Sequence, residues 1–138
     1  KNGKTVDRRF SYAGNKPENF GFGLESLEEY YHEEWKLNHY DEKNNEYEKF
    51  KNVILAGGDR DGLNVSSMGF PVIWLNSETA KLQFKDYQRL LEIADNICYC
   101  GDLDDTGVKE TIKLALDYLH IKIIWLPDWI RNVQNGKM

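Results

Sequence analysis

Apolar and polar residues fall in blocks along the second half of this chain, and the blocks carry two different periods. Val53-Ile54-Leu55-Ala56, Val72-Ile73-Trp74-Leu75, Ile97-Cys98-Tyr99-Cys100 and Lys122-Ile123-Ile124-Trp125-Leu126 are short, nearly continuous apolar runs. Runs of that kind predict strands covered on both faces. Between them lie stripes at three- and four-residue spacing: Phe84, Tyr87, Leu90, Leu91 and Ala94, then Val108, Ile112, Ala115, Leu116 and Leu119. These predict amphipathic helices with the apolar stripe turned to the core. Gly57-Gly58 closes the first strand, Gly69 is placed to end the helix after it, and Pro127 closes the last strand.

Strands alternating with helices build βαβ units and hence a parallel sheet. The expectation is an α/β fold: a mainly parallel, Rossmann-like sheet built on these four runs and flanked by helices. In such sheets ligands gather beyond the carboxyl ends of the strands.

The first half reads differently. Residues 1–24 form extended pieces and turns, among them Arg9-Phe10-Ser11-Tyr12, Gly14-Asn15-Lys16-Pro17 and Phe20-Gly21-Phe22-Gly23-Leu24. Residues 25–50 are dense in Glu, Lys, Tyr and Asn, the pattern of a solvated helix and its connection. The spacing predicts a helix over 26–35, with Ser26 as its cap and Glu29 at the capping-box position, and a polar loop over 38–45. The implied organisation is a flank over 1–49, a domain over 50–130 and a linker or tail over 131–138.

Length and charge narrow the possibilities. A chain of 138 residues makes one domain, and with Lys1 first and both ends open it reads as a piece of a longer protein. Its hydrophobic content of 41% is enough for a core, and its net charge of −5 excludes nucleic-acid binding by bulk electrostatics alone. A local basic patch or neighbouring domains remain open as the means of such binding. No apolar run reaches membrane-spanning length and no signal-peptide pattern is present, so no membrane partner and a cytoplasmic location are expected. Cys98 and Cys100 are too close for an ordinary disulfide, and they form no zinc spacing with His32, His39 or His120. They read as buried thiols of a reducing compartment, and Trp74, Trp125 and Trp129 as core or domain-packing residues.

Candidate chemistry sits at two turns on the same sheet edge. After the third strand comes Gly101-Asp102-Leu103-Asp104-Asp105-Thr106-Gly107. Asp102 and Asp104 are two residues apart, so an extended backbone turns both to one side. Like charges so placed favour a shared proton or a cation between them. Mg²⁺ suits them, since it takes one or two carboxylates and completes its octahedron with water or phosphate oxygens. A helix cap accounts for one of these acids but not for three within four residues. Asp105 is either a water-bridged ligand or a helix-start residue.

After the first strand comes Gly57-Gly58-Asp59-Arg60-Asp61-Gly62, which lacks P-loop spacing but could bind an anion through N–H groups at a helix start. Asp61 is either an acid of the metal site or a helix cap. Arg60 is either a phosphate contact or solvent-facing. Asn76-Ser77-Glu78-Thr79, at the same edge, reads as loop and cap chemistry.

The two turns, in this order and on this strand pattern, resemble the TOPRIM domain of bacterial-type primases, phage-type primase–helicases, type IA and II topoisomerases, OLD-family nucleases and RecR-type repair proteins. The family pattern is a strand ending in Glu-Gly with an acid a few residues on, then a later strand ending in Asp-x-Asp-x-x-Gly. Asp102, Asp104 and Gly107 match the second part, and Gly58 and Asp61 fit the first. Met68-Gly69-Phe70-Pro71-Val72-Ile73 continues as primase-type members do, and Phe20-Gly21-Phe22-Gly23-Leu24 resembles the segment ahead of their first strand. The resemblance spans residues 20–128.

It implies Mg²⁺ or Mn²⁺ on Asp102, Asp104 and Asp105, with Asp61 in support and Gly58, Arg60 and Gly107 near the nucleotide phosphates. The implied activity is nucleotidyl transfer, namely RNA primer synthesis from nucleotides on a DNA template. Template contacts would come from flanking domains, and a helicase domain could follow in cis.

One position departs from the pattern. The glutamate that the family uses as general acid or base falls on Gly57, which can neither move a proton nor bind a metal. A positioned acid or base is worth about 10²–10⁴ in rate. Asp59 is close in sequence but lies past the strand end. The departure raises a second expectation, a catalytically degenerate module that binds nucleic acid or a partner in a phage or mobile-element protein. A third keeps the fold with OLD- or RecR-type nuclease or repair chemistry.

Overall fold

The computed structural model describes residues 21–75 and 80–127, together with Trp129. The extended pieces expected before residue 21, the 76–79 loop and the tail at 131–138 lie outside the described residues. Gly21–Phe22 (β1) enters the sheet, and Gly23, at φ +85°, turns the chain into a helix. That left-handed backbone is open to glycine and costly for residues with a Cβ. Leu24–Tyr30 (α1) runs on through a π-helical stretch, Tyr31–Trp35, to a last turn, Lys36–Asn38 (α2). The helix therefore starts ahead of Ser26: its N-cap is Gly23, with no side-chain cap bond.

Where a polar loop is expected at 38–45, the chain forms a small hairpin, Tyr40–Asp41 (β2) against Glu46–Tyr47 (β3). Asp41 Oδ1 accepts from the Lys43 amide at 2.9 Å, and Asn45 adopts φ +54°. Asp and Asn are the side chains that hold such turns and tolerate that backbone.

Phe50–Ala56 (β4), Asp59–Ser67 (α3), Val72–Leu75 (β5), Phe84–Ile93 (α4), Ala94–Cys100 (β6), Asp105–Asp117 (α5) and Lys122–Ile123 (β7) follow in alternation. The sheet order is β1-β5-β4-β6-β7. β4 pairs parallel with β5 and β6, and β6 pairs parallel with β7; β1 runs antiparallel to β5. The fold is thus α/β, with a mostly parallel sheet flanked by helices. The sheet has five strands rather than four, because two residues, Gly21 and Phe22, add an antiparallel edge too short to show a period in sequence. Ala94 belongs to β6 and not to the preceding helix, since its ψ of 140° passes straight into the strand. At the other edge β7 stops at Ile123, and Trp125 and Trp129 are 52% and 67% exposed, outside this core.

Leu55, Ile73 and Leu90 are fully buried in one core that also takes Leu24 and Tyr31 from the helix after β1. Arg89 on α4 grips Glu28 on α1 through two hydrogen bonds, Nε to Oε1 at 2.8 Å and Nη2 to Oε2. Helix α5 turns a different face inward from the one its apolar stripe predicts. Gly107 and Thr111 are buried and Leu114 and Tyr118 pack on the core, whereas Ile112, Leu116 and Leu119 are exposed. The cause is a close approach at the end of β6, where a Cβ on Gly101 would stand 2.4 Å from Thr111 Oγ1. Small side chains hold the start of that face, beside Gly101, and larger ones, Leu114 and Tyr118, follow farther along it.

Candidate functional site

Because Ala56 on β4 is in register with Cys100 on β6, the turns leaving these two strands lie side by side at the carboxyl edge of the sheet. They enclose a cavity of about 120 Å³. Gly57, Gly58 and Asp61 line it from the β4 side, and Tyr99, Cys100, Gly101 and Asp102 from the β6 side. The two acidic turns, whose Asp61 and Asp102 are 41 residues apart in sequence, are therefore one place in the fold.

On the first turn, Gly58 is the N-cap of α3 in extended conformation, with no side-chain cap and nothing within 4 Å of a Cβ built on it. The cap role open to Asp61 thus falls to Gly58, and Asp61 lies inside the first helical turn, exposed. Asp59 and Arg60 start that helix; their side chains lie outside what the structure describes.

On the second turn, Asp104 is the N-cap of α5, its Oδ1 accepting from the Gly107 amide at 2.7 Å. The Gly107 carbonyl accepts from Thr111 Oγ1 at 2.7 Å. Gly107, expected near a phosphate, has both backbone groups engaged in starting the helix. Asp105 is exposed in the first turn of α5. Asp104 therefore has one oxygen committed and the other to offer. Asp104→Ala should cost about 0.5–2 kcal/mol in a denaturation curve, the usual worth of a cap, whereas Asp104→Asn keeps the acceptor and should melt near wild type. Equal losses in both variants would show that charge, not capping, is what Asp104 contributes to stability.

The electrostatics converge on Asp102. Its carboxyl is held above the usual range, first by burial, then by the charge of Asp61 and then by that of Asp104. The Cys100 thiol is pushed up as well, by burial and then by Asp61 and Asp102. Asp102 and Cys100 both feel the charge of Asp61, so these side chains gather negative charge about one small volume. Among the described residues Asp61, Asp102 and Asp104 make no ion pair. Such a volume attracts a cation or keeps a proton on Asp102.

Among the described residues, no group of three or more His, Cys, Asp or Glu side chains is arranged as a ready metal cage. The donor set fits a hard ion that needs only one or two carboxylates, as Mg²⁺ does, and not an all-protein site.

Sequence reading missed Tyr99, Cys100 and Gly101 as walls of this cavity. Tyr99 is 3% exposed, and its hydroxyl would lie 3.3 Å from a Cβ on Gly57 and 3.4 Å from one on Gly101. The strand's alternation could have set Tyr99 apart from Cys98 and Cys100. Its reach toward Gly57 needed the pairing of Leu55 with Tyr99, which no local pattern contains.

Among the described residues no helix is long and apolar enough to cross a membrane. No protein-family model matches the chain, and neither a curated protein nor a solved structure matches it.

Proposed function

We propose that the turns at 57–61 and 101–105 form a Mg²⁺-dependent, TOPRIM-like phosphate site in a primase or primase–helicase-like replication protein. The observation that carries this reading is the convergence of Asp61, Asp102 and Asp104 at the carboxyl edge of the two central parallel strands, with no cationic partner among the described residues.

Asp102 is the direct ligand, Asp104 offers its free oxygen while Oδ1 holds the helix start, and Asp61 and Asp105 act through water. Bound there, Mg²⁺ or Mn²⁺ supplies charge neutralisation and a template for the phosphates of an incoming nucleotide. The start of α3, uncapped by any side chain at Gly58, presents amide groups to the same phosphates. DNA template contacts and any helicase belong to flanking domains, and the setting is the cytoplasm.

Gly57 favours a second reading, in which the site binds nucleotide or nucleic acid without turning it over. A polar group beside Gly57 is the Tyr99 hydroxyl, and a phenol does not replace a carboxylate as a base at neutral pH.

Titration with Mg²⁺ or Mn²⁺, followed by amide NMR, should move residues 57–61 and 101–107 together. Spectra unchanged at those residues would end the metal reading. The catalytic and the binding-only readings separate on Gly57→Glu combined with Tyr99→Phe, which removes the hydroxyl that crowds a Cβ there. If the site is a degenerate transferase, the double variant should gain nucleotidyl transfer by about 10²-fold or more. A natural protein that already makes primers, and loses them on Asp102→Ala, is not degenerate.

A further inference from the structure

A second cavity shares Tyr99 with the first. It has a volume of about 290 Å³ and is lined by α5 from Glu110 to Asp117 with its C-cap Tyr118, by residues 80–82, and by Leu75 and Tyr99. Its walls are mostly apolar, with Leu82, Leu114 and the Tyr118 ring among them, and charge is confined to Lys81, Glu110, Lys113 and Asp117. The Tyr118 hydroxyl donates to the Leu82 carbonyl at 2.8 Å, so the two walls are fastened to one another. Lys113 pairs with Glu110 at 2.8 Å on one helix.

A concave, largely apolar site with a few polar groups at its edge is what a flat ring system with hydrogen-bonding edges requires. Aromatic walls add the ring contacts that hold such a group. The volume suits a small heterocycle rather than an extended chain.

Its position gives the occupant. Helix α5 begins at the Asp104 cap and leads away from the acidic turn, and the cleft is lined from Glu110 onward, farther along the same helix. Tyr99 is shared by both cavities. A ligand with a ring in the larger cavity and anionic groups in the smaller one would straddle Tyr99.

We propose that the cleft between α5 and residues 80–82 is a base-binding subsite, taking the heterocycle of a nucleoside phosphate whose phosphates reach the Asp61–Asp102 cavity across Tyr99. This rests on the phosphate-handling reading of the acidic turn for the placement of the tail, but not for the fit of the ring.

The test uses the whole chain and amide NMR. Adenosine, without metal, should move residues 80–82 and 110–118 and leave 101–105 in place; ATP with Mg²⁺ should move both sets. Ala80→Trp, which puts an indole into the cleft, should weaken adenosine and ATP binding by about tenfold or more, the worth of a lost apolar ring contact, with the Mg²⁺ response of 101–107 unchanged. Leu116→Ala, at the exposed rim, tests the same wall with no risk to the core and should weaken binding in the same direction. Mg²⁺ shifts at 101–107 with no nucleoside or nucleotide shifts in the cleft would overturn the base subsite and leave the metal reading standing. Cleft shifts that persist undiminished in Ala80→Trp and Leu116→Ala would also overturn it. Adenosine shifts lost in both variants, without any Mg²⁺ response, would support the subsite and sink the metal reading alone.

Discussion

Asp102→Asn should make the metal-free protein melt at a higher temperature than wild type and, in the same step, remove its response to Mg²⁺. The two effects share a cause. Burial and the charges of Asp61 and Asp104 penalise the ionised carboxylate of Asp102 in the folded state, and an amide of the same shape carries no such penalty. The sign with pH follows from a folded carboxyl that titrates above its unfolded value. The penalty is absent in acid, below about 3.9 where the unfolded side chain also holds its proton, and it grows as pH rises to the folded value. Wild type and Asp102→Asn should therefore converge in acid and separate toward neutrality when melted in chelator. Adding Mg²⁺ should raise the wild-type melting temperature and leave that of the variant unmoved. Loss of a direct ligand should exceed the 10–100-fold, in round figures, that even an outer-shell partner of a metal is worth. A variant no more stable than wild type in chelator at neutral pH would show that the acids do not strain one another.

Gly62→Ala should destabilise the protein although alanine is the better helix former. Gly62 is buried in α3, and a Cβ there would come within 2.5 Å of two atoms of the Trp74 indole and 2.8 Å of a third. The ring cannot give way freely, because it also stacks on Phe22 of β1, with centroids 6.3 Å apart. Overpacking of this kind costs about 1–3 kcal/mol, against the roughly 0.5–1 kcal/mol that alanine gains over glycine inside a helix. The net loss of about 1–2 kcal/mol should lower the melting temperature by several degrees at this chain length. Trp74→Leu supplies the control. In that background Gly62→Ala should cost little or become favourable, giving a coupling in a double-mutant cycle well above the few tenths seen for independent sites. Additive losses would refute the contact as the cause.

The glycines of the two turns show how far the sequence could be read. The parallel strands and the helices between them were legible because their patterns are local: Val72–Leu75 is the strand that its apolar run predicts, and the α4 stripe buries Tyr87 and Leu90, while Phe84 and Leu91 of the same stripe are exposed. From that alternation the edge carrying both acidic turns followed. The glycines within those turns look alike in sequence yet answer to different neighbours. Gly58 meets nothing, Gly62 meets an indole and Gly101 meets a threonine hydroxyl. The same limit misplaced the inner face of α5. A stripe of Ile112 and Leu116 announces hydrophobicity, but the close approach of Gly101 to Thr111 decides which side faces the sheet. Asp104 was legible as one of several acids, while its role as the cap became clear only with the Gly107 amide in place.

The unequal pairing of the strands sets an order of opening. β4 and β6 are aligned over six residue pairs, whereas β7 is held to β6 by two and β1 to β5 by two. In native-state hydrogen exchange the two short edges should release their amides through local fraying, and the β4–β6 ladder only near global unfolding. Both acidic turns leave the ends of that slow-exchanging ladder. Their spacing should thus outlast the edges under mild denaturant, so that the carboxylates stay assembled in partly opened forms of the protein.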